Sequence, residues 1–306
     1  MTESQKPSTH GTQGLPACVL ITPARNEAEL IESTIQSVVQ QTLRPLKWVI
    51  VSDGSTDGTD DIVKKYSAEH PWIELVRRPE RRERDFAGKV KAFNAGFERA
   101  RDLPYDVIGN LDADITFEPD YLAFLLGKFA ENPRLGVAGT PFRQGTQQYD
   151  YRFVSIEHVS GACQLFRREC FADIGGYQPV ASGGIDLIAV LSARMKGWET
   201  RSFPEMVCFH HRKMGAAAHE GLRERYHRGR MDYLLGSHPV WETFRSIYQM
   251  RHRPYLVGGV LILLGYWGTM LSRRPRTMPR DVMQFRRREQ LSRLRRVLRR
   301  ELIPGN

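Results

Sequence analysis

The 306 residues, 41% hydrophobic and 26% charged, suit a globular protein with a sizeable core, either one large domain or one domain with an appendage. Four cysteines (Cys18, Cys163, Cys170 and Cys208) include no CxxC pair, which argues against a disulfide framework or a zinc site and for thiols kept in a reducing compartment. The formal charge of +10 is concentrated at one end, because twelve arginines against two acids lie between Arg273 and Arg300 and leave the remaining body close to neutral.

Residues 1–16 are polar and hold no apolar stretch long enough for a signal peptide, so a disordered tail and a cytosolic body are expected. The run Ala17 to Thr22 reads as a strand. A helical pattern follows through Leu30, Ile31, Ile35, Val38 and Val39, with Asn26 as a plausible N-cap. Trp48 to Ser52 reads as a buried strand, followed by a DGSTDGT loop, a helix from about Asp60 to Tyr66 and a short strand from Ile73 to Val76. The unit then repeats, with a helix over Lys89 to Ala100 and a strand over Asp106 to Leu111. Successive βα units predict an α/β fold with a mainly parallel, Rossmann-like sheet flanked by helices.

In such sheets ligands bind beyond the carboxyl ends of the strands, where Asp53, Asp112 and Asp114 all fall. In the stretch VIGNLDADI, residues i and i+2 of a strand share a face. Asp112 and Asp114 can therefore both reach one divalent cation and the diphosphate it carries, or serve as ordinary turn formers. Asp53 suits a base or ribose contact or an Asx turn. Lys89, in a helix's first turn, suits a phosphate or plain solvation. No GxGxxG follows the first strand and no GxxxxGK(S/T) occurs, which disfavours a classical dehydrogenase or ATPase.

Farther along, Asp186 precedes a helix over Leu187 to Lys196 and fits an N-cap. Met206 to Phe209 reads as a strand leading to His210 and His211, with His210 either a metal or diphosphate contact or a structural histidine. The polar stretches from Arg77 to Gly88 and from Arg212 to Gly221 are candidates for closure over a ligand or plain surface connections. Pro254 to Leu271 is an uncharged apolar run near the lower limit for a bilayer span, with Tyr255, Tyr266 and Trp267 suited to an interface. A signal-less body and an arginine-rich tail both demand the cytosolic side, so a single span is disfavoured. The expectation is a re-entrant hairpin or interfacial helix, then a basic amphipathic helix with Leu291, Leu294, Leu298 and Leu302 on one face. A buried core helix is the alternative for the apolar run. Next to that run, the basic tail favours an anionic membrane surface at the cytoplasmic face over nucleic acid.

The segments TPARNEA (22–28), VSDGSTDGT (51–59), GKVKAFNAG (88–96) and NLDADI (110–115), in that order, resemble the nucleotide-sugar half of family 2 glycosyltransferases of the GT-A fold. The resemblance covers roughly residues 17–212. It implies a nucleoside-diphosphate sugar donor, with UDP as the default, a cofactor of Mg2+ or Mn2+, and inverting transfer to a hydroxyl or phosphate, such as a lipid-linked or cell-envelope acceptor. It places Pro23 and Glu27 in the donor-site loop, Asp53 at the base or ribose, and Asp112 and Asp114 at metal and diphosphate. The family loop usually begins with two acids, the first of which is Ser52 here. Aligned through ARMKGW and Pro204, Asp186 takes the position of the catalytic base, with Ile185 where the family has glutamate. His210 resembles the family's histidine after that proline. Arg225 and Tyr226 match the last two places of a QxxRW motif and become acceptor-phosphate candidates. The implied organisation is a glycosyltransferase domain over 17–240 (nucleotide half 17–115, acceptor half 116–240) and a membrane-associated region over 241–306. A noncatalytic scaffold on the same fold and a sugar nucleotidyltransferase remain as rivals; the latter should show a glycine-rich loop after strand one, and TPARNEA has no glycine.

Overall fold

The computed structural model describes residues 14–80, 86–143, 155–180, 183–211 and 218–302, so most of the expected N-terminal tail and much of both candidate closing loops lie outside it. The chain divides into two compact units. The first holds residues 1–80, 92–171 and 199–211. The second holds 81–91, 172–198 and 212–306. The division therefore does not fall at residue 240, because the helix after the GGID stretch shares a core with the C-terminal helix.

The first unit is built from β1 (Cys18–Ala24), α1 (Ile31–Val39), β2 (Lys47–Asp53), α2 (Thr59–Glu69), β3 (Ile73–Arg78), the later part of α3 (Phe86–Ala100), β4 (Val107–Leu111), β5 (Ile115–Phe117) and α4 (Tyr121–Glu131). It continues with β6 (Leu135–Gly139), β7 (Phe142–Arg143), β8 (Cys163–Arg167), the start of α5 (Arg168–Asp173), β9 (Glu199–Ser202) and β10 (Cys208–His210). Seven strands form one sheet in the order β3-β2-β1-β4-β8-β6-β9, and β5-β10-β7 form a second, smaller one. The large sheet is parallel except for β8, which runs antiparallel to both β4 and β6. Its central strands are apolar on both faces: Val19, Leu20, Ile21, Val49, Ile50 and Val51 are fully buried, as strands covered by helices on each side require. The α/β reading and the three alternating βα units of the sequence are therefore borne out.

Helix α3 lies close over this sheet because Gly96 has no side chain. A Cβ there would sit 2.6 Å from Cγ2 of Ile21 and 2.9 Å from Cγ2 of Val51. Both neighbours are β-branched and buried, so neither yields by a cheap rotamer change. Gly96→Val is expected to lower unfolding free energy by about 2 kcal/mol, at the scale of overpacking a filled core. Urea denaturation monitored by circular dichroism checks this, and an unchanged midpoint would show that the helix can lift off at no cost.

The second unit contains α6 (Ile185–Met195), α7 (Ala218–Leu234), α8 (Pro239–Gln249), α9 (Val257–Leu271) and α10 (Arg280–Leu302). Val180, Ile188, Leu191, Leu235, Met278 and Val282 form its core, with Ile185, Leu187 and Met283 packed at the edge. An ion-pair cluster ties three helices together: Arg245 of α8 pairs with Asp232 of α7 and, at 2.6 Å, with Glu242, and Arg286 of α10 also reaches Asp232. Burial pushes the Asp232 carboxyl up, but Arg245, Arg286 and Arg228 outweigh it and hold the group below the ordinary carboxylate range.

Two expectations for this region change. The apolar run forms one 15-residue helix, α9, rather than a hairpin, and no described helix is long and apolar enough to cross a membrane. Its glycines decide the packing. A Cβ on Gly265 would lie 2.1 Å from the Tyr226 carbonyl oxygen, and one on Gly229 would lie 2.0 Å from that of Ile262, so α7 and α9 meet backbone to backbone. The leucine face expected on α10 is not uniform either: Leu294 is buried, Leu298 is 40% exposed, and the side chain of Leu302 lies outside the described residues. The face that α10 buries begins earlier, at Val282 and Met283, where it joins the core with α6.

Candidate active site

The donor-site loops after β1 and β2 are stapled to each other by side chains. Asn26 has φ 54°, a left-handed conformation that asparagine tolerates better than most residues. It is not the N-cap of α1, which begins after Leu30 without a side-chain cap. Instead the Asn26 N–H donates to Ser55 Oγ at 3.1 Å, and its Oδ1 accepts from the Thr56 N–H at 2.9 Å. The next residue continues the staple, since the Glu27 N–H donates to Thr59 Oγ1 at 2.8 Å. Asp57 closes it, accepting from the Ala28 N–H at 3.0 Å and from the Thr59 hydroxyl at 2.5 Å. Ser52, which stands where the family's loop has its first acid, is buried inside β2 and leaves Asp53 at the strand's end. Pro23 sits half-buried in β1 opposite Val51.

Burial alone would raise the Asp57 carboxyl, but the Thr59 hydroxyl and the Ala28 and Thr59 amides donate to it and lower it below the ordinary range. A lowered native-state value means that this contribution is full above the unfolded-state value near pH 4 and is lost as pH falls through the folded one. Asp57→Ala is expected to weaken donor binding and to cost about 1 kcal/mol of stability, the size of a lost cap. Donor titration calorimetry at neutral pH and a melt in acid test both parts; an unaltered donor affinity would separate the staple from the site.

Asp53 is buried and accepts from Arg78 Nη1 at 2.5 Å, a contact set by the β2–β3 register that places the two residues opposite each other. At the end of β4 the chain turns. Asp112 and Asp114 lie in this turn rather than on the strand, because β4 pairs with β8 only as far as Leu111. The turn is held from several sides. Asp112 N–H donates to the Ala162 carbonyl at 2.8 Å, Asn110 Nδ2 donates to the Gly161 carbonyl at 2.7 Å, and the buried Thr34 hydroxyl donates to the Ala113 carbonyl at 2.9 Å. Asp114 is 5% exposed, whereas Asp112 is half-buried.

Strand β10 then brings histidine to the pair. Its antiparallel register on β5 sets His210 opposite Ile115, and His210 Nε2 lies 3.5 Å from Asp114 Oδ2. The other ring nitrogen of His210, Nδ1, is buried and has no hydrogen-bond partner among the described residues. His211 supports the turn instead, donating its N–H to the Asp114 carbonyl at 2.9 Å and contacting Thr116 Oγ1 through Nε2 at 2.7 Å. Among the described residues no three acidic, histidine or cysteine side chains are grouped so as to hold a metal ion. Asp114, with the His210 imidazole beside it, nevertheless fits Mg2+ or Mn2+ of the kind held by one or two protein carboxylates and completed by substrate phosphates and water.

The remaining candidates belong to the second unit. Lys89 is half-buried in the first turn of α3, as expected. Asp186 is not an N-cap: Gly184 occupies that place, with φ 79°, and Asp186 lies within the first turn of α6. Gly183 also has positive φ, so a glycine pair shapes the entry to the helix and delivers the carboxylate. Asp186 is half-buried and its carboxylate has no hydrogen-bond or ion-pair partner among the described residues, while its neighbours Ile185 and Leu187 pack at the core's edge. Arg225 donates to Gln249 Oε1 at 3.4 Å, and Tyr226 is 40% exposed on α7.

Residues 19–182, more than half of the chain, match the model of the family described as glycosyl transferase family 2. The chain belongs to that family. This glycosyltransferase is 27% identical over 204 residues to the poly-beta-1,6-N-acetyl-D-glucosamine synthase of Staphylococcus aureus (strain COL), a match covering 60% of this chain and 47% of the relative. It is 25% identical over 195 residues to the synthase of the same name from Staphylococcus epidermidis, covering 57% and 44%. The chain thus spans about half the length of the curated relatives it matches. Among solved structures, the mannosyltransferase PcManGT from Pyrobaculum calidifontis, in complex with GDP-Man and Mn2+, superposes with a TM-score of 0.57 at 20% identity, covering 85% of this chain and 75% of that one. Residues 1–349 of Staphylococcus aureus TarS in complex with UDP-GlcNAc give 0.51 at 14%, covering 84% and 73%. These likenesses establish the GT-A-like fold expected from the sequence.

Proposed function

We propose that this glycosyltransferase moves a sugar from a nucleoside-diphosphate sugar, a UDP-sugar in the first instance, to a hydroxyl or phosphate of a lipid-linked or cell-envelope glycan precursor. Transfer inverts the anomeric carbon and depends on Mg2+ or Mn2+. The observation that carries this reading is the approach of His210 to Asp114 at the carboxyl edge of the large sheet, on the turn that also holds Asp112 and is fixed by Thr34, Asn110 and His211. A divalent cation held there by Asp112, Asp114 and His210 would neutralise charge growing on the departing diphosphate. Asp53 and the stapled loop around Glu27 position the nucleoside, and Lys89 offers a cationic contact to phosphate. Asp186 accepts the proton of the attacking hydroxyl while the bond to the leaving diphosphate breaks, so that one displacement inverts the centre. Arg225 and Tyr226 are the acceptor-phosphate contacts in this reading. The name shared by the curated relatives makes UDP-N-acetylglucosamine the first donor to try.

The test is nucleoside-diphosphate release by the full chain from a panel of UDP-, GDP- and dTDP-sugars, with Mn2+ or Mg2+ and with chelator. Release from one donor class that chelator abolishes is the expected result. Donor binding without release in the presence of candidate acceptors would favour a scaffold, pyrophosphate as product would favour a nucleotidyltransferase, and no binding of any donor would overturn the enzyme reading.

A further inference from the structure

Helix α9 has two unlike faces. Gly259, Ile262, Gly265, Tyr266 and Thr269 are buried, with Tyr266 donating its hydroxyl to the Ser237 carbonyl at 2.7 Å and Gly259 set against the Ser246 carbonyl of α8. The opposite side carries Leu256, Val257, Val260, Leu264, Trp267 and Leu271, exposed by 65, 48, 42, 56, 37 and 76%. Spacings of three and four residues place them on one stripe. Exposed arginines bracket it, Arg251 and Arg253 before the helix and Arg273 and Arg274 after it. No aspartate or glutamate occurs between Glu242 and Asp281.

We propose that this stripe docks in the plane of a bilayer surface rich in anionic phospholipid, with its apolar side chains in the acyl boundary and the flanking arginines on lipid phosphates. Length excludes a span: 15 residues reach about 22 Å against a hydrocarbon core of about 30 Å. Tyr255, 61% exposed at the start of the stripe, and Trp267 within it are the residue types that settle at the headgroup level. A second copy of the chain is the poorer occupant, because pairing two such stripes in either orientation sets arginines against arginines with no acid in the segment to neutralise them. An anionic surface supplies that neutralisation and is screened by salt.

Co-sedimentation of the full chain with phosphatidylglycerol-containing and pure phosphatidylcholine vesicles tests this. Binding is expected to favour the anionic vesicles at least ~10-fold, and Leu264→Glu with Leu271→Glu to reduce it by a similar factor. Metal-dependent donor hydrolysis measured without vesicles should be unchanged in that variant, so docking and the donor-site reading fail separately. Should the double variant misfold, a polarity-sensitive fluorophore on Leu264→Cys reports instead, since all four native cysteines are buried. A blue shift on anionic vesicles supports docking. Equal binding to both vesicle types, wild-type binding by the variant, a label that stays in water, or dimerisation through the stripe without vesicle binding each overturns it.

Discussion

Asp114→Asn is expected to reduce metal-dependent release of nucleoside diphosphate by at least ~100-fold, the scale lost when a group facing developing charge is removed. Three features make the substitution a clean test. The side chain keeps its volume, so the turn after β4 retains its packing. The backbone carbonyl that receives the His211 N–H is untouched, as are the Thr34 bond to Ala113 and the Asn110 bond to Gly161. What changes is one negative charge beside His210 Nε2, in a place only 5% exposed, where water cannot compensate for its loss. Turnover should recover little at raised Mn2+, because Asp112 and His210 remain but the buried charge is gone. Asp112→Asn, at a half-buried position, is expected to show the same sign and a smaller loss. Steady-state assays over a metal titration, with a thermal melt of each variant, give the answer. Wild-type turnover in Asp114→Asn would remove the carboxylate pair from the mechanism.

Legibility of the sequence varied with the kind of signal. The runs Trp48 to Ser52 and Asp106 to Leu111 were readable as strands because a strand buried on both faces is a short, nearly unbroken apolar run, and β2 and β4 follow them to within a residue or two. Gly96 lies in GKVKAFNAG, and the closeness of Ile21 and Val51 gives that glycine its physical reason. Helix caps are a weaker signal. Asn26 and Asp186 both look like helix starters by residue type, but the first uses its side chain across to the next loop and the second sits in its helix's first turn, two residues after the capping Gly184. Neither use leaves a local sequence signal, since it depends on a partner about thirty residues away or on the paired glycines before α6. A place for His210 at the metal or diphosphate comes from its position after the family's proline and not from any strand pattern, because β5 and β10 are three residues each and their pairing spans more than ninety residues of chain. The buried cluster around Asp232 and Arg245 has no sequence signature: among so many arginines, nothing local marks the ones that turn inward.

Asp186→Asn is expected to lower kcat by ~10²–10⁴-fold while leaving donor affinity essentially as it was, since general-base assistance contributes on that scale and acts only in the transfer step. The geometry of α6 sharpens this test. Because Gly184, not Asp186, ends the helix, asparagine removes no capping bond. The residual cost is the loss of one acid from the helix's first turn, about 0.3–1 kcal/mol, too little to unfold the second unit. Ile185 and Leu187, which pack at the core's edge on either side, remain in place to hold the backbone. The chemistry is also exposed to a second check. Release of nucleoside diphosphate to water needs less help from a base positioned for an acceptor than transfer to that acceptor does, so the variant should lose transfer more than donor hydrolysis. If transfer and hydrolysis fall together with donor affinity, Asp186 holds the structure or the donor and another group takes the proton. If kcat for transfer stays within a few-fold of wild type, Asp186 is not the base and the alignment through ARMKGW and Pro204 has placed the wrong residue there.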